Sequence, residues 1–194
     1  MADLRIVKLS VGPMDNNVYV LICPETRESV IIDAANEANR ILEAVKGTNV
    51  RYILLTHGHS DHVQALEEVK QATGAPVAIH PADAAMLPIA ADLALNDGDR
   101  VRFGKHELLV LHTPGHTPGS VCLLTDQHLF SGDTLFPGGP GNTKTRLGNF
   151  PQIIESVRRL FELPDETHVY PGHGADTTIG REKPHLDEWL ARGW

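Results

Sequence analysis

The chain is short of the features that mark whole classes of protein. Positive charge is scarce, with 17 lysines and arginines against 25 aspartates and glutamates and a formal net charge of -8. A nucleic-acid surface needs clustered positive charge, so that class of partner is not expected. No run of like charge reads as an interaction tail. No stretch approaches the roughly 20 apolar residues of a membrane span. The opening MADLRIVKLS lacks a cationic start followed by a long apolar segment, so no secretory signal is read there and the cytoplasm is the expected location. Cysteine is nearly absent. Its two copies, Cys23 and Cys122, each lie in an apolar, strand-like run, and buried free thiols in a reducing compartment fit them better than a disulfide. With no low-complexity segment, helical repeat or linker, the 194 residues read as one domain over 1–194, a monomer or a small homo-oligomer.

What is present is an ordinary balance of 41% hydrophobic and 22% charged residues, that of a soluble globular protein. Strand-like runs recur at 18–23, 29–34, 51–56, 76–80, 107–112, 120–125, 128–133 and 168–173. Several are apolar throughout, as when both faces of a sheet are covered. Helical periodicity is found at 37–46, 62–73, 151–162 and 184–192. Strand-rich halves each followed by helices predict an α/β chain with sheets at the centre and helices outside. The segments TPGHTPG (113–119) and PGGPG (137–141) predict fixed loops beside strand ends.

Histidine is the outlier, at 11 copies. A surplus of imidazole in an acidic, cysteine-poor chain points to metal, proton transfer or both. The densest group is LLTHGHSDH, residues 54–62, directly after an apolar run. In an extended segment His57 and His59 point to the same side and can reach one cation, while Gly58 leaves the backbone free to turn. Asp61 and His62 are adjacent, so a turn is needed to offer both to a second cation. Zinc accepts imidazole nitrogen and carboxylate oxygen alike. Three further residues stand at strand ends beside glycine: His116 in TPGHTPGS, Asp133 in FSGDTLF and His173 in YPGHG. Singly, each has an ordinary explanation as a turn residue, a cap or a loop histidine. In this order after HxHxDH they point together to a metal centre.

HxHxDH followed by a separate His, Asp and His resembles the metallo-β-lactamase-fold superfamily, from NNVYVLI and IIDA to YPGHG. Within it, THGHSDH, TPGHTPGS, FSGDTLFPGGPG and YPGHG are most similar to the glyoxalase II-like hydrolases, which cleave thioesters such as S-lactoylglutathione. The resemblance implies a four-layer αββα sandwich with the metals along one edge. It implies two divalent ions, zinc with iron or manganese as alternatives. His57, His59 and His116 would hold one ion, Asp61, His62 and His173 the other, and Asp133 would bridge them. Asp61 and Asp133 are then the carboxylates that serve catalysis. Two divalent cations outweigh two aspartates, and neutral imidazoles add nothing, so the residual positive charge favours hydroxide over water. Ions about 3.5–4 Å apart can share that hydroxide for attack on a thioester or ester carbonyl. Asp33, ending VIIDA, is the candidate to orient a ligand histidine. His80, His106, His112, His128 and His168 read as partly exposed strand-end histidines, and His185 as remote from the site.

The chain also departs from the glyoxalase II pattern. There is room for only one or two short helices after His173, where glyoxalase II carries a helical region whose basic residues bind glutathione. The loop after Asp133 offers Lys144 and Arg146, which can grip a carboxylate-bearing small-molecule substrate, but no tyrosine. Gln64 stands where many relatives have glycine, so the packing after HxHxDH is expected to differ. Other members fit less well. Secreted metallo-β-lactamases often place cysteine where Asp133 stands, flavodiiron-type proteins replace the second histidine, and the nucleases add binding extensions. A lactonase would share the dinuclear centre and differ in the pocket. A mononuclear-iron persulfide dioxygenase would use His57, His116 and Asp133, two histidines and a carboxylate suited to iron and dioxygen. A purely structural metal module fits poorly, since closed zinc sites need four protein ligands each.

Overall fold

The computed structural model describes residues 3–194. Its first sheet runs in spatial order β1 (Arg5–Val11), β2 (Asn16–Ile22), β3 (Glu28–Ile32), β4 (Asn49–Leu54), β5 (Val77–Ile79) and β6 (Leu93–Ala94). The second sheet is built from β7 (Arg100–Phe103), β8 (His106–His112), β9 (Val121–Thr125) and β10 (His128–Gly132). A small ribbon of β11 (Leu135–Phe136) and β12 (Gly139–Pro140) follows. Strands β13 (His168–Pro171) and β14 (Thr177–Thr178) then complete the second sheet, in the order β14-β13-β10-β9-β8-β7. The helices are α1 (Ala38–Ala44), α2 (Leu66–Thr73), α3 (Phe150–Leu160), α4 (Ile179–Glu182) and α5 (Leu186–Arg192).

The period of two along β2 produces the layers. Val18, Val20 and Ile22 pack with Ile41 of α1 and Leu66 and Val69 of α2. Tyr19 and Leu21 point the other way and meet Phe103, Val110, Leu123 and Phe130 of the second sheet. A strand buried on both faces must lie between two layers. On the far side, Cys122, Leu129 and Val169 pack against Val157 and Leu160 of α3, Ile179 of α4 and Trp189 of α5. The result is the αββα order expected. In α3 the Asn149 side chain accepts from the Gln152 amide at 3.1 Å, a cap worth about 1 kcal/mol, and Pro151 sits in the first turn where its missing N–H costs nothing. Burial of Val157 or Leu160 contributes about 1.5–3 kcal/mol each, so Val157→Asp would unseat this helix. Cys23 and Cys122 are free and buried. Among the described residues, no helix is long and apolar enough to cross a membrane.

Several expectations need correction. The helix read over 62–73 begins only at Leu66. The Gln64 and Ala65 amides donate instead to the carbonyls of Ala35 and Ala34, at 3.1 and 3.0 Å, which pins this stretch to the end of β3 rather than into a helix. Gln64 is exposed and accepts from the Asn36 side-chain amide at 2.6 Å. The loop read over 137–141 contains β12, paired with β11. Strands β1 and β7 were not anticipated. Both lie at sheet edges and alternate charged residues with apolar ones, which blurs the apolar run that marks a covered strand.

Candidate metal centre

Strands β3, β4 and β5 are parallel neighbours in one sheet, and β10 and β13 in the other. Their carboxyl ends collect the loops that bear the candidate ligands, the usual place for a site in α/β proteins. His57 and His59 follow β4, His116 follows β8, Asp133 follows β10 and His173 follows β13. Asp61 and His62 lie on a single 3-10 turn, Ser60–His62, the turn needed to present both. The two sheets are stitched together here. The Val121 amide donates to the Thr56 carbonyl at 2.8 Å, and the Asn17 amide to the Gly172 carbonyl at 2.7 Å.

Hydrogen bonds on the outward nitrogens fix four imidazoles with Nε2 facing inward. Thr56 Oγ1 gives its one proton to Asp33 Oδ2 at 2.8 Å, so toward His57 Nδ1, 3.1 Å away, it can only accept. His62 Nδ1 donates to Asp33 Oδ2 at 3.0 Å, His116 Nδ1 to the Asn142 carbonyl at 2.8 Å and His173 Nδ1 to the Met14 carbonyl at 2.9 Å. Such partners are what orient metal-binding histidines. His59 is turned the other way, with Nδ1 2.9 Å from His116 Nε2. Asp33, expected to orient a histidine, holds His62 directly and His57 through Thr56, from a left-handed backbone at φ 58°.

The inward atoms converge. His62 Nε2 lies 3.1 Å from His173 Nε2. Asp133 Oδ1 is 3.4 Å from His62 Nε2, and its Oδ2 is 3.4 Å from both His116 Nε2 and His173 Nε2. Asp61 Oδ2 is 3.3 Å from His173 Nε2 and accepts from the Asn16 amide at 2.9 Å. Three overlapping trios have ligand atoms within 4.8 Å of one another: His57–His59–His116, His57–His62–Asp133 and Asp61–His62–His173. Two buried ligand atoms of the centre, His57 Nε2 and Asp133 Oδ1, have no hydrogen-bond partner among the described residues. An unsatisfied buried polar atom costs about 1–3 kcal/mol, and a cation satisfies acceptors that no neighbouring N–H reaches. The residues fit a metal.

Protonation tells the same story. Burial, then the nearby His62, holds His57 well below the usual histidine range. Burial, then His116, lowers His59. Burial works against charge on His62, but the Asp133 and Asp33 carboxylates outweigh it and raise its pKa well above normal. Hydrogen bonding to Asp133 and Asp61 pushes His173 up to about 10. Burial opposes ionisation of Asp133 and of Asp61, yet the histidines around them keep both carboxyls below their ordinary values. Without metal, protons on His62 and His173 thus balance the two carboxylates. A divalent ion takes over that role and releases the protons.

Close approach explains the glycine at 172. A Cβ there would sit 2.2 Å from Asp133 Oδ1 and 2.7 Å from His62 Cε1. One contributor escaped the sequence reading. Asp83, fully buried, accepts from the Gly58 amide at 3.0 Å, the Gly119 amide at 2.7 Å and Thr117 Oγ1 at 2.7 Å. Its only mark in the sequence is an acid two residues after Pro81, past a short apolar run. Asn16, Met14 and Asn142 were missed as well.

The centre opens into a cleft of about 550 Å³ where His116, Asp133 and His173 meet Met14, Phe136 and Trp194. Arg192 stacks on the Trp194 ring at 4.0 Å, and Lys144 Nζ lies 5.1 Å from the same ring. Arg146 is exposed and has no side-chain partner among the described residues. A larger concavity of about 850 Å³ shares no residue with the centre. Its Arg100 and Lys105 are paired with Glu107 and Glu25, which leaves them no charge to spend on a ligand. The remaining histidines stay outside the centre: His80 stacks on His112, His128 bonds the Tyr170 hydroxyl and His185 pairs with Glu188.

Residues 11–173 match the Metallo-beta-lactamase superfamily. A hydroxyacylglutathione hydrolase of Rhizobium johnstonii is 40% identical over 163 residues, which are 82% of this chain and 62% of that protein. The chain therefore spans less than two thirds of that hydrolase. The crystal structure of ETHE1 from Myxococcus xanthus is 34% identical with a TM-score of 0.86, covering 94% of this chain and 83% of that one. TTHA1623, solved in a di-iron-bound form, is 34% identical with a TM-score of 0.81, covering 91% of this chain and 96% of that one. A match over most of the length, with relatives at this level of identity, makes the chain a member of the metallo-beta-lactamase superfamily.

Proposed function

We propose that this metal-dependent hydrolase cleaves a small-molecule thioester or ester, using two divalent ions, zinc by preference. His57, His59 and His116 would hold one ion, Asp61, His62 and His173 the other, with Asp133 between them. The observation that carries this reading is the set of four imidazoles held by their Nδ1 atoms with Nε2 turned inward, where His57 Nε2 and Asp133 Oδ1 are buried without a hydrogen-bond partner among the described residues. Divalent ions there would supply Lewis acidity toward a carbonyl and a lowered pKa for water. The chain's own residues do the rest. The Asn142 and Met14 carbonyls accept from Nδ1 of His116 and His173 and so turn each Nε2 inward, and Asp133 spans the two halves with its two oxygens.

The lining of the cleft favours a good leaving group. Beyond the centre's own residues, its described lining is Met14, Asn142, prolines, glycines, Phe136, Arg192 and Trp194, none of which donates a proton readily near pH 7. A thiol, with an ordinary pKa near 8.5, can depart without that help, whereas an amine cannot. Lys144 and the exposed Arg146 have no aspartate or glutamate partner among the described residues, which suits a substrate bearing a carboxylate. One domain, a cytoplasmic location and no nucleic-acid or membrane partner complete the proposal.

A second reading has equal support from the comparisons. One iron on His57, His116 and Asp133 would make a persulfide dioxygenase, and the likeness to ETHE1 supports it as well as the likeness to the hydrolase supports the first. A lactonase would differ only in the pocket. The test is metal quantification on protein purified without added metal, with turnover of a thioester, a lactone and a persulfide. Two ions per chain and thioester cleavage without oxygen uptake are expected. One iron per chain with oxygen consumed on the persulfide replaces this reading with the second.

A further inference from the structure

One buried carboxylate serves a single half of the centre. Asp83 hangs from the 3-10 segment Pro81–Met86 and is fully shielded from solvent. An ionised carboxylate in such a place is costly unless it is well hydrogen-bonded. Its three donors come from two loops. Gly58 lies between His57 and His59, Thr117 follows His116, and Gly119 ends the same loop. Thr117 gives its one hydroxyl proton to Asp83 and so accepts from the Ser120 hydroxyl at 2.7 Å, which extends the tie along the loop. The fit is close: a Cβ on Gly119 would lie 2.6 Å from Asp83 Oδ1. No hydrogen bond from Asp83 reaches a neighbour of Asp61, His62 or His173 among the described residues.

We propose that Asp83 is a positioning residue that sets the spacing between the loop of His57 and His59 and the loop of His116, and so builds that half of the centre alone. The inference rests on the metal reading above. An asparagine there keeps the shape but turns an NH2 toward an N–H or O–H donor, so at least one tie is lost. The loops then separate, and the three imidazoles no longer converge. The other half keeps its own support from Asp33, Asn16 and the Met14 carbonyl.

The test is zinc titration of the chelated full-length chain, parent against Asp83→Asn, with bound zinc counted at defined free zinc and the thermal midpoint of the metal-free proteins recorded. The parent should bind two ions. Asp83→Asn should bind one as tightly as before and the other about 10- to 100-fold more weakly, the usual cost of losing an orienting partner. Combining Asp83→Asn with His173→Gln should abolish tight binding, and combining it with His59→Gln should leave one ion. Should Asp83→Asn fail to fold, Thr117→Val removes a single tie and should show the same selectivity, more weakly. Equal weakening of both ions, or two ions held as tightly as in the parent, overturns the inference and leaves the metal reading intact. A parent that takes up no zinc overturns both.

Discussion

Strands β10 and β13 carry titratable side chains at both ends, and the two ends behave differently. At the start, His128 and His168 are paired in register with rings 6.1 Å apart, and His128 Nδ1 meets the Tyr170 hydroxyl at 3.0 Å. Burial, then His168, lowers the pKa of His128. Nothing converges on a shared volume. At the finish, Asp133 and His173 stand 3.4 Å apart and share their space with His62 and His116. The same strands thus carry titratable groups at both ends, but only one end brings ring nitrogens and carboxylate oxygens together with their far sides held. Residue type is a weak signal of a metal centre, and convergence of unsatisfied atoms is a strong one.

The contrast can be broken by mutation. Asp133→Asn removes one oxygen from the atom pair that spans both halves, so metal content should fall and thioester turnover should drop by about a thousandfold or more, the scale of losing a catalytic electrostatic group. Retained metal and turnover would remove Asp133 from the centre. Titration sharpens the contrast further. His173 is raised to about 10 in the metal-free chain, so its contribution to stability is full below the unfolded value of about 6.5 and is lost as pH rises through about 10. The melting temperature of chelated protein should fall across that window. His173→Gln should flatten this slope, and a slope that persists assigns it elsewhere. The smallest effect is expected at the other end, where His128→Gln should shift stability by within about 0.5 kcal/mol and leave metal content and turnover unchanged.

The seven candidate ligands were legible because HxHxDH is rare and because strand ends beside glycine repeat along the chain. Asp33 was legible as the acid closing a β-run, and it lies 3.0 Å from His62 Nδ1. The turn that presents Asp61 and His62 was foreseen, yet the following residues were read as helix, since Val63, Leu66 and Val69 keep a helical spacing while the Gln64 and Ala65 amides are spent on Ala35 and Ala34. The Met14 and Asn142 carbonyls carry no sequence signature, because any residue supplies a carbonyl. Asp83 was hidden for another reason: its partners are two glycine amides and a threonine from loops 25 to 36 residues away. Lys144 and Arg146 lie outside helix and strand, in the loop after β12. Arg192 and Trp194, which reach the cleft from the far end of the chain, lay beyond any local pattern.

The stitch between Thr56 and Val121 bears on how the molecule should be refolded. His57, His59, Asp61 and His62 are synthesised within six positions, whereas His116, Asp133 and His173 arrive only when the second sheet docks. An unfolded chain already holds a local chelator, and metal bound to unfolded histidines stabilises the wrong state. Zinc present during refolding would be trapped by that early segment, so recovery should be best when the ion is added last.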